Sequence, residues 1–182
     1  MDKKLMLLLM AVGLGLSASS ANAGLYTFSQ TGFDEGAFVT GSFEGSDLNN
    51  DGVISFGSLV SDQNQELTAF SLSFSGNSIA SAFTHGLSDI TFFGYGLSTN
   101  PETLGDDFTE GLATRWFSTS GYTYVSGLAA NAQNGGGIVN WASGVDTNSE
   151  NLISVNAVPV PGAVWLFGSA LAGFLSMKRR KV

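Results

Sequence analysis

Phe70-Ser71-Leu72-Ser73-Phe74-Ser75, residues 70–75, sets three apolar side chains against three hydroxyls in strict alternation. Successive side chains of a β-strand point to opposite faces, so this stretch predicts a half-buried strand with one greasy and one hydroxylated side. Rougher versions of the pattern occur at Leu25 to Phe28, Ala37 to Phe43, Ile90 to Phe93, Thr114 to Ser118, Tyr122 to Val125 and Ile138 to Trp141. Glycine and Asx residues punctuate them at short intervals. Such spacing predicts an all-β fold, a single antiparallel β-sandwich or jelly-roll-like domain. Asn131 to Gly137 reads as a Gly-rich turn between strands, since it lacks the lysine and the strand-to-helix setting of a phosphate cradle.

Charge is spread very unevenly over the 182 residues. Of the seven basic residues, Lys3 and Lys4 lie near the start and Lys178, Arg179, Arg180 and Lys181 at the end, which leaves Arg115 alone in the middle. All the acidic residues except Asp2 fall in that middle, so one basic against fourteen acidic side chains gives it a formal charge of −13. A surface of that sign repels phosphate backbones and anionic lipid heads, which argues against nucleic-acid partners. The chain has no cysteine, which excludes disulfides, thiol catalysis and Cys-ligated zinc. The scarcity of Lys and Arg also argues against long surface helices with paired charges.

Both ends read as targeting segments. Lys3 and Lys4, the apolar stretch Leu5 to Leu16 and the small residues Ala21-Asn22-Ala23 form a secretory signal peptide over residues 1–23, with cleavage expected between Ala23 and Gly24. The β-rich acidic domain is then expected over residues 24–156. A tail over residues 157–182 follows, with a short transmembrane helix at about 162–177 and a basic end at 178–181. Pro161 suits a helix start. Sixteen residues rise about 24 Å at ~1.5 Å each, short of a hydrocarbon core about 30 Å thick, so the span is marginal and suits a temporary hold during processing.

The tail Val158-Pro159-Val160-Pro161-Gly162-Ala163-Val164-Trp165-Leu166-Phe167-Gly168-Ser169, closed by Lys178-Arg179-Arg180-Lys181, resembles the PEP-CTERM sorting signal in a V-P-x-P…W-L-F-G-S form. Val160 stands where the family name implies Glu, and Gly162 where Ala is frequent. With the leader left to signal peptidase, the resemblance implies trimming of the tail by an exosortase-like membrane protease near Pro159 and Pro161. It also implies transient residence in the inner membrane, then delivery to the cell surface or to an exopolysaccharide and biofilm matrix. It names Trp165, Phe167, Gly168 and Ser169, with the basic end, as the sorting residues. The middle resembles ectodomains that precede such tails through Gly41-Ser42-Phe43-Glu44-Gly45, Asp51-Gly52-Val53-Ile54-Ser55 and Glu66-Leu67-Thr68, a likeness that implies β architecture and no chemistry. The expected role is a non-catalytic structural or adhesive protein, with no cofactor beyond a candidate Ca²⁺; the alternatives are a calcium- or carbohydrate-binding module and a secreted hydrolase.

Asp47-Leu48-Asn49-Asn50-Asp51-Gly52-Val53-Ile54-Ser55 matches the first nine positions of an EF-hand calcium loop. Oxygens of Asp47, Asn49 and Asp51, the Val53 carbonyl and Ser55 through a water can converge on one hard cation, and Gly52 permits the turn. Ser58 occupies the twelfth position, where a bidentate Glu normally closes the shell, and Glu66 can replace it only if the chain folds back. Asn50-Asp51-Gly52 equally fits a plain hairpin turn between Phe43 and Ile54.

Other candidates are thinner. His85, with Asp89 four residues on, is the one histidine, and no G-x-S-x-G elbow accompanies it. Glu102 with Asp106, and Asp107 with Glu110, are carboxylate pairs of the kind a glycosidase uses, and equally ordinary solvated acids. Trp116, Phe117, Tyr122, Tyr124 and Trp141 suit either a platform for sugar rings or the core of a disulfide-free β domain.

Overall fold

The computed structural model describes residues 24–58, 65–97, 101–116, 118–132 and 135–159. Ala23, Phe117, Pro161, Trp165, Phe167, Gly168, Ser169 and Lys178 to Lys181 lie outside them. Among the described residues no helix is long and apolar enough to cross a membrane.

Among the described residues, twelve strands form two six-stranded antiparallel sheets. Sheet A runs β5 (Phe83–Gly86), β4 (Leu67–Phe74), β2 (Val39–Gly45), β1 (Gly24–Gln30), β12 (Ile153–Val158), β7 (Thr103–Leu104). Sheet B runs β11 (Val145–Ser149), β10 (Gly136–Asn140), β9 (Thr123–Ser126), β8 (Gly111–Thr114), β6 (Ile90–Gly96), β3 (Val53–Phe56). Consecutive strands β8 to β11 lie side by side as a meander, not as the Greek keys of a jelly roll. The architecture is an all-β antiparallel sandwich.

The strand predicted from residues 70–75 is the centre of β4: Phe70, Leu72 and Phe74 are buried, while Ser71 and Ser73 face solvent. Its register sets Phe70 opposite Phe43 on β2, and Phe43 in turn opposite Tyr26 on β1. Across the sandwich Phe43 meets Phe93 and Tyr95 of β6 edge-on, at ring-centroid distances of 4.9 and 5.2 Å. The two sheets therefore hold together through aromatic rings, without any disulfide. Gly41 makes room for this arrangement, because a Cβ there would collide with the Phe28 ring and the Ser71 carbonyl.

Three expectations need correction. Thr114 to Ser118 is not a strand: β8 ends at Thr114, because Arg115 adopts φ +53° and turns the backbone away from the ladder. The hairpin expected between Phe43 and Ile54 is also absent, since β2 lies in sheet A and β3 in sheet B. Residues 46–52 cross between the sheets, and Ile54 enters the core from sheet B, paired in register with Tyr95. Gly136 and Gly137, assigned to a turn from the sequence, begin β10.

Candidate functional site

The crossover Ser46–Gly52 is folded around its own acidic side chains. Asp47 Oδ2 accepts the Gly52 N–H at 2.9 Å and its Oδ1 the Asp51 N–H at 3.2 Å. Asn49 Oδ1 accepts the Asp51 N–H at 3.0 Å, and Asp51 Oδ1 the Val53 N–H at 2.8 Å. Asn50 (φ +60°) and Gly52 (φ +86°) take the left-handed conformations that let the chain coil so tightly. Asp47, Asn49, Asp51 and Val53 thus do come together.

Ser55, the fifth residue of the predicted set, turns instead to Glu66. Its backbone N–H and hydroxyl both donate to Glu66 Oε2, at 2.8 and 3.2 Å. The other carboxylate oxygen accepts the backbone N–H of Leu48 at 2.8 Å and of Asn49 at 3.4 Å. The chain has folded back, and Glu66, 2% exposed, fastens the crossover to the head of β4. Its backbone does the same, donating to Ser55 O and accepting from Ser46 N. Among the described residues no three His, Cys, Asp or Glu side chains converge in a group able to hold a metal ion.

His85, on β5, is buried, and its Nδ1 lies 2.8 Å from the Thr114 hydroxyl of the facing sheet. Burial pushes its pKa below the ordinary histidine value, partly opposed by the charge of Asp89. The Asp89 carboxylate itself accepts the Gly86 N–H at 2.9 Å, so it caps the short 3₁₀ turn Leu87–Asp89.

The carboxylate pairs are sorted differently from their order in sequence. Asp107 accepts the Thr109 N–H and hydroxyl at the surface. Glu110 is fully buried and accepts the backbone N–H groups of Gly96 and Gly105, both at 3.0 Å. Burial raises its pKa first of all, and Asp106 beside it raises it further. Glu102 and Asp106 are exposed.

The aromatic residues divide into core and surface. Tyr124 is fully buried and donates its hydroxyl to Gln30 Oε1 at 2.6 Å. Tyr122 stacks on Phe83 at 5.1 Å. Trp116 and Trp141 instead line one open groove of about 480 Å³ with Ser118, Thr119 and Ala142. The pairings Thr114↔Tyr124, Val139↔Thr123 and Asn140↔Val145 put the β8–β9 and β10–β11 turns next to each other at one end of sheet B, one tryptophan in each. Trp116 is held through its backbone N–H, which donates at 3.1 Å to Thr91 at the register shift of β6. Trp141 is 62% exposed, above a turn tied by the Asn140 side chain to the N–H groups of Ala142 and Ser143. The alternation rule could not separate these two from Tyr124, because both kinds sit beside strand ends in hydroxyl-rich sequence. No family model, curated protein or solved structure matches the chain.

Proposed function

We propose that the chain is an exported, acidic β-sandwich, trimmed at both ends and delivered to the cell surface or an extracellular polysaccharide matrix as a non-catalytic structural or adhesive protein. The observation that carries this is the pairing of the first strand with the last, in which Leu25 of β1 lies opposite Val158 of β12. The expected cleavage point before Gly24 and the tail's entrance at Pro159 therefore stand side by side at one end of sheet A. Removing residues 1–23 and those after Pro161 would leave every described strand of both sheets intact, because β12 ends at Val158. The formal charge of −13 on the part between suits a domain that stays soluble after release. The leader and the PEP-CTERM-like tail supply the rest through their residues.

Mass spectrometry of the chain recovered from its own cells tests this. The expected mature species starts at Gly24 and lacks the residues after Pro161, and a variant with Pro159 and Pro161 both changed to Ala keeps its tail. Recovery of an intact cytosolic polypeptide bearing Met1 and Val182 would overturn the proposal.

A calcium-binding role is a second reading, favoured by the tight coil that gathers the side-chain oxygens of Asp47, Asn49 and Asp51, while Glu66 is taken up by Leu48, Asn49 and Ser55. With Ser58 in the twelfth position, the affinity expected is that of weak extracellular modules, about 10⁻⁴–10⁻³ M. Titrating calcium chloride into the full-length chain in detergent should give that affinity, and Asp51→Asn should abolish it. Absence of binding heat up to about ten times that concentration would remove the calcium reading and leave the delivery reading standing.

A further inference from the structure

Trp141 is a large indole held in water on a short, tightly hydrogen-bonded turn, where an ordinary surface residue would serve the fold equally well. Trp116 shares its groove from the neighbouring hairpin, and the hydroxyl residues Ser118 and Thr119 line the same groove. The β8–β9 loop is fixed as firmly as the other turn. Arg115 Nη2 donates to Ser118 Oγ at 3.3 Å and Ser120 O at 3.1 Å, and Thr123 donates its hydroxyl to Arg115 O at 3.0 Å. The rings are thus presented on preorganised supports, which lowers the ordering cost of binding.

We infer that the Trp116–Trp141 groove binds a neutral polysaccharide chain, the C–H faces of its sugars on the indoles and its hydroxyls toward Ser118 and Thr119. Charge selects this occupant. The domain bears fourteen carboxylates against Arg115 alone, so its net charge repels polyanions and anionic lipid surfaces but not a neutral glycan. The groove, at about 480 Å³, has the size of small-ligand sites. Val139, two residues before Trp141, lines a second open hollow of about 610 Å³ with Val125, Gly137 and Asn148. Gly137 lies in register with both Val125 and Asn148, and the Asn148 amide leans over it, so this hollow carries a hydrogen-bonding group beside the apolar Val125 and Val139.

The inference deepens the delivery reading and rests on it for where the glycan is met. The full-length chain in a mild detergent is titrated calorimetrically with cellohexaose, maltohexaose and soluble mannan, and in parallel with polygalacturonate and with phosphatidylglycerol vesicles. At least one neutral glycan should bind, and Trp141→Ala should weaken it by at least about tenfold, with circular dichroism unchanged. Trp116→Ala should do the same, and Trp165→Phe, in the tail, should change nothing. Binding of no neutral glycan, preference for the polyanion or the vesicles, or full affinity in both Ala variants would overturn the inference. Failure of the delivery reading shows separately, as unprocessed ends in cell material with glycan affinity intact.

Discussion

Glu66→Ala should lower the stability of the domain by about 4 kcal/mol, because it removes an acceptor from four donors at once and leaves the backbone N–H groups of Leu48, Asn49 and Ser55 without it. For a domain of this size that corresponds to a fall of about 12 °C in melting temperature. Glu66→Gln is the more telling variant. Both carboxylate oxygens act as acceptors here, one toward Leu48 and Asn49 and the other toward Ser55, so an amide keeps only one of the two and presents N–H donors to the other. Glutamine, nearly the same size, should therefore recover little of the loss, whereas a merely space-filling Glu66 would tolerate it. Thermal melts of the two variants decide: a fall of less than about 3 °C for Glu66→Gln would show that the carboxylate is not what fastens the crossover.

The same residue shows where the sequence stops being informative. Gly41–Gly45, Asp51–Ser55 and Glu66–Thr68 are separate pieces of text, and an acid just before a strand looks like any solvated acid. In the fold, Glu66 links the end of β2, through Ser46, to β3, through Ser55, so the three pieces are one unit. Contact between residues so far apart along the chain leaves no periodic trace. Strand β4 was legible because one face meets the core and the other water, a contrast written directly into residues 70–75. The sheet to which β3 belongs was not legible, because a turn sequence such as Asn50-Asp51-Gly52 specifies a change of direction and not the partner strand. The overrun at Thr114 to Ser118 has a similar cause: Trp116 is a good strand former, and nothing local announces the positive φ at Arg115. Of the candidate sites, Asp47, Asn49 and Asp51 lie together as their spacing suggested, while the tryptophan groove required the register of sheet B to bring two hairpins side by side.

Phe43→Ala should be at least as damaging as the loss of Glu66, by a different physics. Phe43 is 1% exposed and its ring touches Tyr26 at 4.7 Å, Phe93 at 4.9 Å and Tyr95 at 5.2 Å, so it belongs to both sheets at once. Deleting it removes the burial of a full aromatic side chain and opens a cavity that rings already paired in register cannot close, a loss of about 4 kcal/mol. Phe43→Leu keeps most of the volume but none of the edge-to-face contacts, and should cost about 1.5 kcal/mol. A chain without disulfides has no covalent tie to hold its sheets while the core repacks, so the loss should appear as a single cooperative shift of the whole melt, about 12 °C for alanine. Denaturant melts monitored by far-ultraviolet circular dichroism and by tyrosine fluorescence should move together. Separate transitions for the two probes would mean that the sheets are stabilised independently, and that the Phe43 cluster is not what joins them.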